Sequence, residues 1–169
     1  MIVFHLPMLT RANNGCINGY TGKEREAKYQ EYKRLRALGK SEPTRPPCQL
    51  CGNEDCEVEP HSEDYSQPYK WVPPYDHMVC RSCHLWVHKR FKQPEDWNDF
   101  KAHVKRGGYA SEFASASAKA ERKEAAAART QKREYRWKPM AGRAARSGWW
   151  GYLTLNEESR TSRSARPRP

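Results

Sequence analysis

Two pairs of cysteines constrain the fold of this chain more than any other sequence feature. Cys48 and Cys51 form one pair and Cys80 and Cys83 form the other, each with two residues between its members. That spacing lets both sulfur atoms of a tight turn reach one ion, and two such turns supply four thiolates in a closed tetrahedron. The pattern therefore predicts one structural zinc ion, Zn2+, with no coordination position open to water.

The composition is consistent with a fold that needs a metal ion to stabilise it. Only 37% of the 169 residues are hydrophobic, and small domains with thin cores usually depend on a disulfide or a metal. Zinc binding contributes roughly 10–16 kcal/mol of folding free energy in small modules. Cys16 and Cys56 remain outside the pairs, and Cys56 is near enough along the chain to compete as a ligand.

Local signals predict the elements around the cysteines. Thr21 and Glu24 form a capping box at the start of a helix, and Gly39 is suited to end it. The further elements are two short strands and two helices, expected at 58–61, 69–72, 82–90 and 94–106. Trp97, Phe100 and Val104 share one face of the last helix and are expected in the core.

The Ala-rich run 111–136 has strong helix propensity but little apolar surface to bury. We expect a solvent-exposed helix there, or one that forms on a partner. The chain then divides into four parts: an irregular N-terminus (1–20), a flanking helix with a Pro-rich linker (21–47), a zinc-binding domain with a packed helix (48–109), and a basic helix with a disordered tail (110–169).

Charge is concentrated at the C-terminal end. The formal net charge is +11, and residues 119–169 contain 14 Lys and Arg against 5 Asp and Glu, which is +9 of that total. A basic block of this kind indicates a polyanionic partner, most simply nucleic acid, although a solvated tail has the same composition. Aromatic side chains interleave with these cations and suit stacking on unpaired bases: Tyr135, Trp137, Trp149, Trp150 and Tyr152. The alternative is that the last three dock back onto the domain or onto a protein partner.

No stretch approaches the roughly 20 apolar residues of a membrane span, and the start of the chain lacks the basic region of a signal peptide. We therefore expect a cytoplasmic protein with no membrane partner. In a reducing compartment, paired cysteines are more often metal ligands than disulfide partners.

Three histidines lie close to the cysteines in sequence. His84 follows Cys83 directly, and His88 shares its helical face one turn later. Together with the segment His61-Ser-Glu-Asp-Tyr-Ser-Gln-Pro68, the run Cys80-Arg-Ser-Cys-His84 resembles zinc-bearing HNH endonucleases of the phage and mobile-element type. The resemblance covers residues 48–91. It implies an α+β fold: a small zinc-stapled ββα unit similar to a treble clef, with flanking helices and a basic, partly disordered tail.

The resemblance also implies a mechanism, in which a divalent ion assists hydrolysis of a DNA phosphodiester. His61 would be the general base that deprotonates water, and His84, or else His88, would hold Mg2+ or Mn2+. The family's supporting Asn has no counterpart before the second cysteine pair, where Asp76 or His77 would have to replace it. Four cations near the helix of the second pair would contact phosphates: Arg81, Lys89, Arg90 and Lys92.

Three hypotheses follow. The chain is a metal-dependent nuclease, a catalytically inactive DNA- or RNA-binding module of the same fold, or a zinc-based adaptor that holds a protein partner, with the Trp- and Arg-rich tail as the contact. The basic block argues against the adaptor, and the missing Asn argues weakly against the nuclease.

Overall fold

A computed structural model describes residues 20–41, 47–140, 142–144 and 146. The described chain is α+β, as predicted, with helices on both sides of a two-stranded sheet. In chain order the elements are α1 (Gly22–Ala37), β1 (Val58–Ser62), β2 (Asp76–Cys80), α2 (Arg81–Lys89), α3 (Pro94–Lys105), a 3-10 turn (Ala110–Ala114) and α4 (Ala116–Thr130).

Helix α1 begins where its capping box places it. The Thr21 hydroxyl accepts from the Glu24 amide at 3.3 Å, and the Glu24 carboxylate accepts from the Thr21 amide at 2.7 Å. Both bonds satisfy amide groups that the first turn of a helix leaves without partners. Gly39 adopts a positive φ of 67° just after the helix, as expected of a residue that ends one.

The sheet pairs β1 and β2 in antiparallel fashion, with Val58 opposite Cys80 and Ser62 opposite Asp76. The strand predicted at 69–72 is wrong, because that segment forms a loop leading to Pro73 and Pro74. The second strand instead runs straight into the second cysteine pair. Cys80 is the last residue of β2 and also the N-cap of α2.

The core lies on the side of α2 that faces α3. Trp97, Phe100 and Val104 are at most 3% exposed, which confirms the predicted apolar stripe. Phe113 joins them, with its ring centroid 5.4 Å from that of Phe100 and 4.9 Å from that of Trp86. The core therefore extends past residue 109, where the domain was predicted to end.

Helix α4 is shorter than the predicted 111–136 and packs against the domain. Ala125 and Ala128 are 0% and 2% exposed, so the small alanine side chains permit a close approach. Two ion pairs hold the helix against α3, from Arg129 to Asp99 and from Arg106 to Glu121, each at 2.6 Å. The helix therefore buries one alanine face that the prediction of an exposed helix did not include, while most of its residues are exposed as expected.

The chain after α4 turns back along the domain. Arg143 pairs with Glu112 at 2.6 Å, and the Arg146 amide donates to the Lys105 carbonyl at 2.8 Å. Through these contacts, the first part of the predicted tail docks onto the domain. The tail aromatics Trp149, Trp150 and Tyr152, like Cys16, lie outside the described residues.

A buried lysine helps to hold helix α1 to the sheet. Lys28 is 1% exposed, and its Nζ lies 3.2 Å from the Asp76 carboxylate. The same ammonium donates to the carbonyls of Asp64 and Lys70 at 2.8 and 3.0 Å. Because Asp76 begins β2 and the two carbonyls lie on the segment before it, this side chain links α1 to both.

A search of the described helices for a segment long and apolar enough to cross a membrane finds none.

Replacing Lys28 with Met should destabilise the protein by about 3–5 kcal/mol, because the buried Asp76 carboxylate would lose its counter-charge. Urea denaturation followed by circular dichroism measures the change. Lys23→Met, at an exposed position of the same helix, is the matched control and should change stability by less than about 0.5 kcal/mol. Equal midpoints for the two variants would contradict the role given to Lys28.

Candidate metal centres

The four paired cysteines converge on one point. Their sulfur atoms all lie within 4.8 Å of one another, and each residue is at most 6% exposed. The Cys51 and Cys80 sulfurs are 3.8 Å apart. A tetrahedron with Zn–S bonds of about 2.3 Å has edges of about 3.8 Å. The four side chains therefore fit a zinc ion and could hold one, as the spacing predicted.

Backbone amides stabilise negative charge on these sulfurs. The Cys80 amide donates to the Cys48 sulfur at 3.2 Å, and the Cys83 amide donates to the Cys80 sulfur at 3.4 Å. Both amides lie at the N-terminus of α2, where the helix dipole also favours anions. Gly52 closes the first turn with a φ of 70°, a conformation that suits glycine.

Cys56 is not part of this cluster. Its side chain is half-buried, and its thiol donates to the Asn53 carbonyl at 3.3 Å. Its sulfur is not among the four that lie within 4.8 Å of one another. The described geometry leaves the site with the four predicted ligands.

A second cluster of possible ligands lies one helical turn farther along α2. One ring nitrogen from each of His61, His84 and His88 lies within 4.8 Å of the others. The ring centroids are 4.6 Å apart for His84 and His88, and 5.1 and 5.2 Å from His61 to those two. Strand β1 thus supplies one imidazole and helix α2 supplies two.

Carboxylates orient two of these three rings. The Nε2 atom of His61 is 2.6 Å from the Glu63 carboxylate, and the Nδ1 atom of His84 is 2.7 Å from the Glu59 carboxylate. The other nitrogen of each ring remains for the cluster, and the buried His61 Nδ1 has no hydrogen-bond partner among the described residues. Histidines that bind metals typically donate their second N–H to a carboxylate in this way.

The buried ring of the cluster is in the charge state that metal binding requires. Burial lowers the pKa of His61. This imidazole is therefore neutral at pH 7, which is the form that binds a metal.

Arg90 does not have the role predicted for it. It is 3% exposed, and its guanidinium donates to the Glu63 carboxylate at 2.7 Å and to the Val87 carbonyl at 3.0 Å. A phosphate cannot reach a cation in this position, so the predicted nucleic-acid contact is wrong for Arg90. The residue instead holds Glu63, which in turn orients His61. The other three predicted cations, Arg81, Lys89 and Lys92, are exposed.

The two residues considered in place of the missing Asn lie on different sides of the sheet. Asp76 accepts a hydrogen bond from Ser62 and pairs with Lys28, so it belongs to the attachment of α1. His77 lies opposite His61 in the sheet register, and burial lowers its pKa to about 4. Of the two, His77 is the one beside the histidine cluster.

The sequence analysis missed Glu59 as a functional residue and left Glu63 without a definite role. Glu59, His61 and Glu63 alternate along the chain, and alternate residues of a strand point to the same face. Adding this alternation to the His84–His88 helical spacing would have identified both carboxylates.

A groove of about 1070 Å³ opens beside the histidine cluster, between α1 and β1. His84 and His88 line it from α2, and side chains of α1 line it as well. We call it the α1 groove. An ion held by the three histidines would be next to a space large enough for a ligand.

Replacing Cys83 with Ser should abolish tight zinc binding and cooperative unfolding, because three thiolates no longer close the site. Metal analysis after dialysis against a mild chelator, together with thermal unfolding, measures both effects. Cys56→Ser is the matched control and should keep about one tightly held zinc per chain. Equal zinc loss in the two variants would show that Cys56 belongs to the site.

Comparisons with protein-family models, with curated proteins and with solved structures find no match to this chain. The resemblance to HNH endonucleases rests on residues 48–91 of the sequence alone, and the chemistry of those residues has to support any functional conclusion.

Proposed function

We propose that this protein is a zinc-stabilised, metal-dependent phosphodiesterase that acts on nucleic acid, with β1, β2 and α2 forming an HNH-like, treble-clef unit. The observation that supports it best is the cluster of three histidines, two of them backed by carboxylates, beside the α1 groove. Such a set is incomplete as a structural site, since three ligands leave coordination positions open.

The two clusters suit different tasks. The cysteine set supplies four ligands and is buried on all sides, so an ion there organises the fold and does no chemistry. The histidine set supplies three ligands, and His88 is exposed on the groove side. A substrate oxygen could approach an ion only at the second position.

The donor atoms favour some metals over others. All three ligands are imidazole nitrogens, which suit Zn2+ and other first-row transition ions. Mg2+ prefers oxygen ligands and an octahedral shell. We therefore expect Zn2+ or Mn2+ to support activity better than Mg2+, which narrows the expectation drawn from the family resemblance.

The geometry also favours a different role for His61. Its ring is 2% exposed, its Nε2 is taken by Glu63, and its Nδ1 faces His84 and His88. A general base has to reach a water molecule, so we propose that His61 is a third ligand rather than the base. A divalent ion bound there would polarise a phosphate oxygen and lower the pKa of a nearby water.

The substrate is proposed from charge. The chain carries a formal net charge of +11, and Arg81, Lys89 and Lys92 are exposed on or just after α2, the helix that carries His84 and His88. Cations at these positions would neutralise phosphates and position a strand without reading its sequence.

An inactive nucleic-acid-binding module remains the second candidate, and one observation favours it. The histidines that line the α1 groove are His84 and His88, both used as ligands in this proposal. Ser62 follows His61 in the strand, but its hydroxyl is bonded to Asp76. No separate imidazole base is therefore present along the described groove.

Nicking of supercoiled plasmid by the zinc-loaded protein tests the proposal. We expect nicking with added Mn2+ or Zn2+, and none when His84 and His88 are both replaced by Ala. Glu59→Gln should raise the metal concentration for half-maximal nicking by about 10–100-fold, because His84 loses its orienting carboxylate. Glu54→Gln, an exposed carboxylate before β1 that does not line the groove, is the control and should behave like wild type.

Calorimetric titration of Mn2+ or Zn2+ into the zinc-loaded protein separates binding from catalysis. A second site that is lost in the double histidine variant, together with an absence of nicking in every metal, would favour the inactive module. Equal nicking by wild type and the double variant would refute the metal-site proposal altogether.

A further inference from the structure

The α1 groove has a second lining besides the histidines. It is also bordered by aromatic rings from α1 and from the loop before β2: Tyr29, Tyr32, Tyr65 and Trp71. The sequence analysis treated α1 as a flanking helix and gave these rings no function.

Three of the rings form a continuous surface. The centroids of Tyr29 and Tyr32 are 6.4 Å apart with planes inclined by 20°, and Tyr32 is 6.1 Å from Trp71. Tyr32 is buried at 6% exposure, whereas Tyr29 is 42% exposed. The exposed ring of Tyr29 therefore contributes accessible surface to the groove, and the rings of Tyr32 and Trp71 support it from the inner side.

The charges of the groove nearly cancel. Lys23, Arg25 and Arg36 line it from α1, and the carboxylates that line it are Glu26, Glu57 and Glu59. Lys28 also lines it, but its charge is matched by Asp76. Binding of duplex DNA depends mostly on neutralising many phosphates, and this groove supplies little net charge for that purpose. Binding here would have to come from stacking on the rings.

From these observations we propose that the α1 groove binds one unpaired strand of nucleic acid, with a base stacked on Tyr29 and the adjoining phosphate directed towards His84 and His88. This inference rests on the proposed function and names its substrate class, single-stranded or locally unpaired nucleic acid. Base–aromatic stacking tolerates any sequence, because every base has a π-face. Bases paired inside a duplex cannot offer that face.

Tyr29 and His84 line the same cavity of about 1070 Å³, a volume near the upper end of known ligand sites. A stacked base and its phosphate could therefore occupy one continuous space. The Nζ atom of Lys33 lies 5.0 Å from the centre of the Tyr29 ring, so a cation also lies beside that ring.

Fluorescence polarisation with a labelled 12-nucleotide oligo(dT) and with a 12-base-pair duplex tests the inference. The protein carries its structural zinc, and no second metal is added. Tyr29→Ala should weaken binding of the single strand roughly tenfold and leave duplex binding unchanged, while Tyr29→Trp should retain binding. The salt dependence of binding should stay the same in Tyr29→Ala, since a stacking contact and no phosphate contact is lost.

Tyr75→Ala is the matched control, because Tyr75 is an exposed tyrosine, 36% accessible, that does not line the groove. Equal affinities for Tyr29→Ala and Tyr75→Ala would overturn the inference. Equal losses on single strand and duplex would also overturn it.

Nicking by wild type and by the His84→Ala/His88→Ala double variant, measured beside binding, distinguishes a failure of this inference from a failure of the proposed function. Single-strand binding that depends on Tyr29 in a protein that never nicks would support the groove and refute the enzyme. Metal-dependent nicking with no effect of Tyr29→Ala on binding would support the enzyme and refute the groove.

Discussion

The convergence of four cysteine sulfur atoms, in an arrangement that could hold a zinc ion, is the constraint on which the rest of this structure depends. Cys80 has to end β2 and begin α2 at the same residue, because its sulfur must turn back towards Cys48 and Cys51. That requirement fixes the angle between strand and helix. A chain with 37% hydrophobic residues has few other ways to fix it.

Helix α2, which the cysteines position, also positions the candidate reactive site. Cys83 and His84 are neighbours, and His88 follows one turn later, so a helix held by the sulfurs also places two imidazoles. Strand β1 meets them with His61, and the buried chain of Arg90 and Glu63 holds that ring. The two clusters are thus adjacent along one helix but separate, with four possible metal ligands in one and three in the other.

The sequence predicts the local features well and the long-range ones poorly. The cysteine spacing and the capping box of Thr21 each depend on a few neighbouring residues, and both predictions agree with the structure. The strand expected at 69–72 failed because β propensity does not reveal which segment pairs with β1. Arg90 was misassigned for a related reason: nothing near it in sequence reveals that Glu63, 27 residues away, takes its charge.

The packing of α4 and the groove beside α1 were beyond sequence reasoning because each is made by distant partners. Asp99 and Glu121 form ion pairs with Arg129 and Arg106 only after folding has brought them together. Lys28 looks like one more surface cation of α1, yet it is buried against Asp76 and creates one wall of the groove. Burial of a charged residue is a tertiary property, which composition and periodicity do not encode.

X-ray absorption at the zinc edge tests the central claim, that this chain holds one closed thiolate site and one open imidazole site. With one equivalent of zinc, the account predicts four sulfur ligands at about 2.3 Å, and a second equivalent should add nitrogen ligands at about 2.0–2.1 Å. The nitrogen shell should disappear when His84 and His88 are both replaced by Ala. A mixed sulfur and nitrogen shell at the first equivalent, or no added nitrogen at the second, would contradict the account.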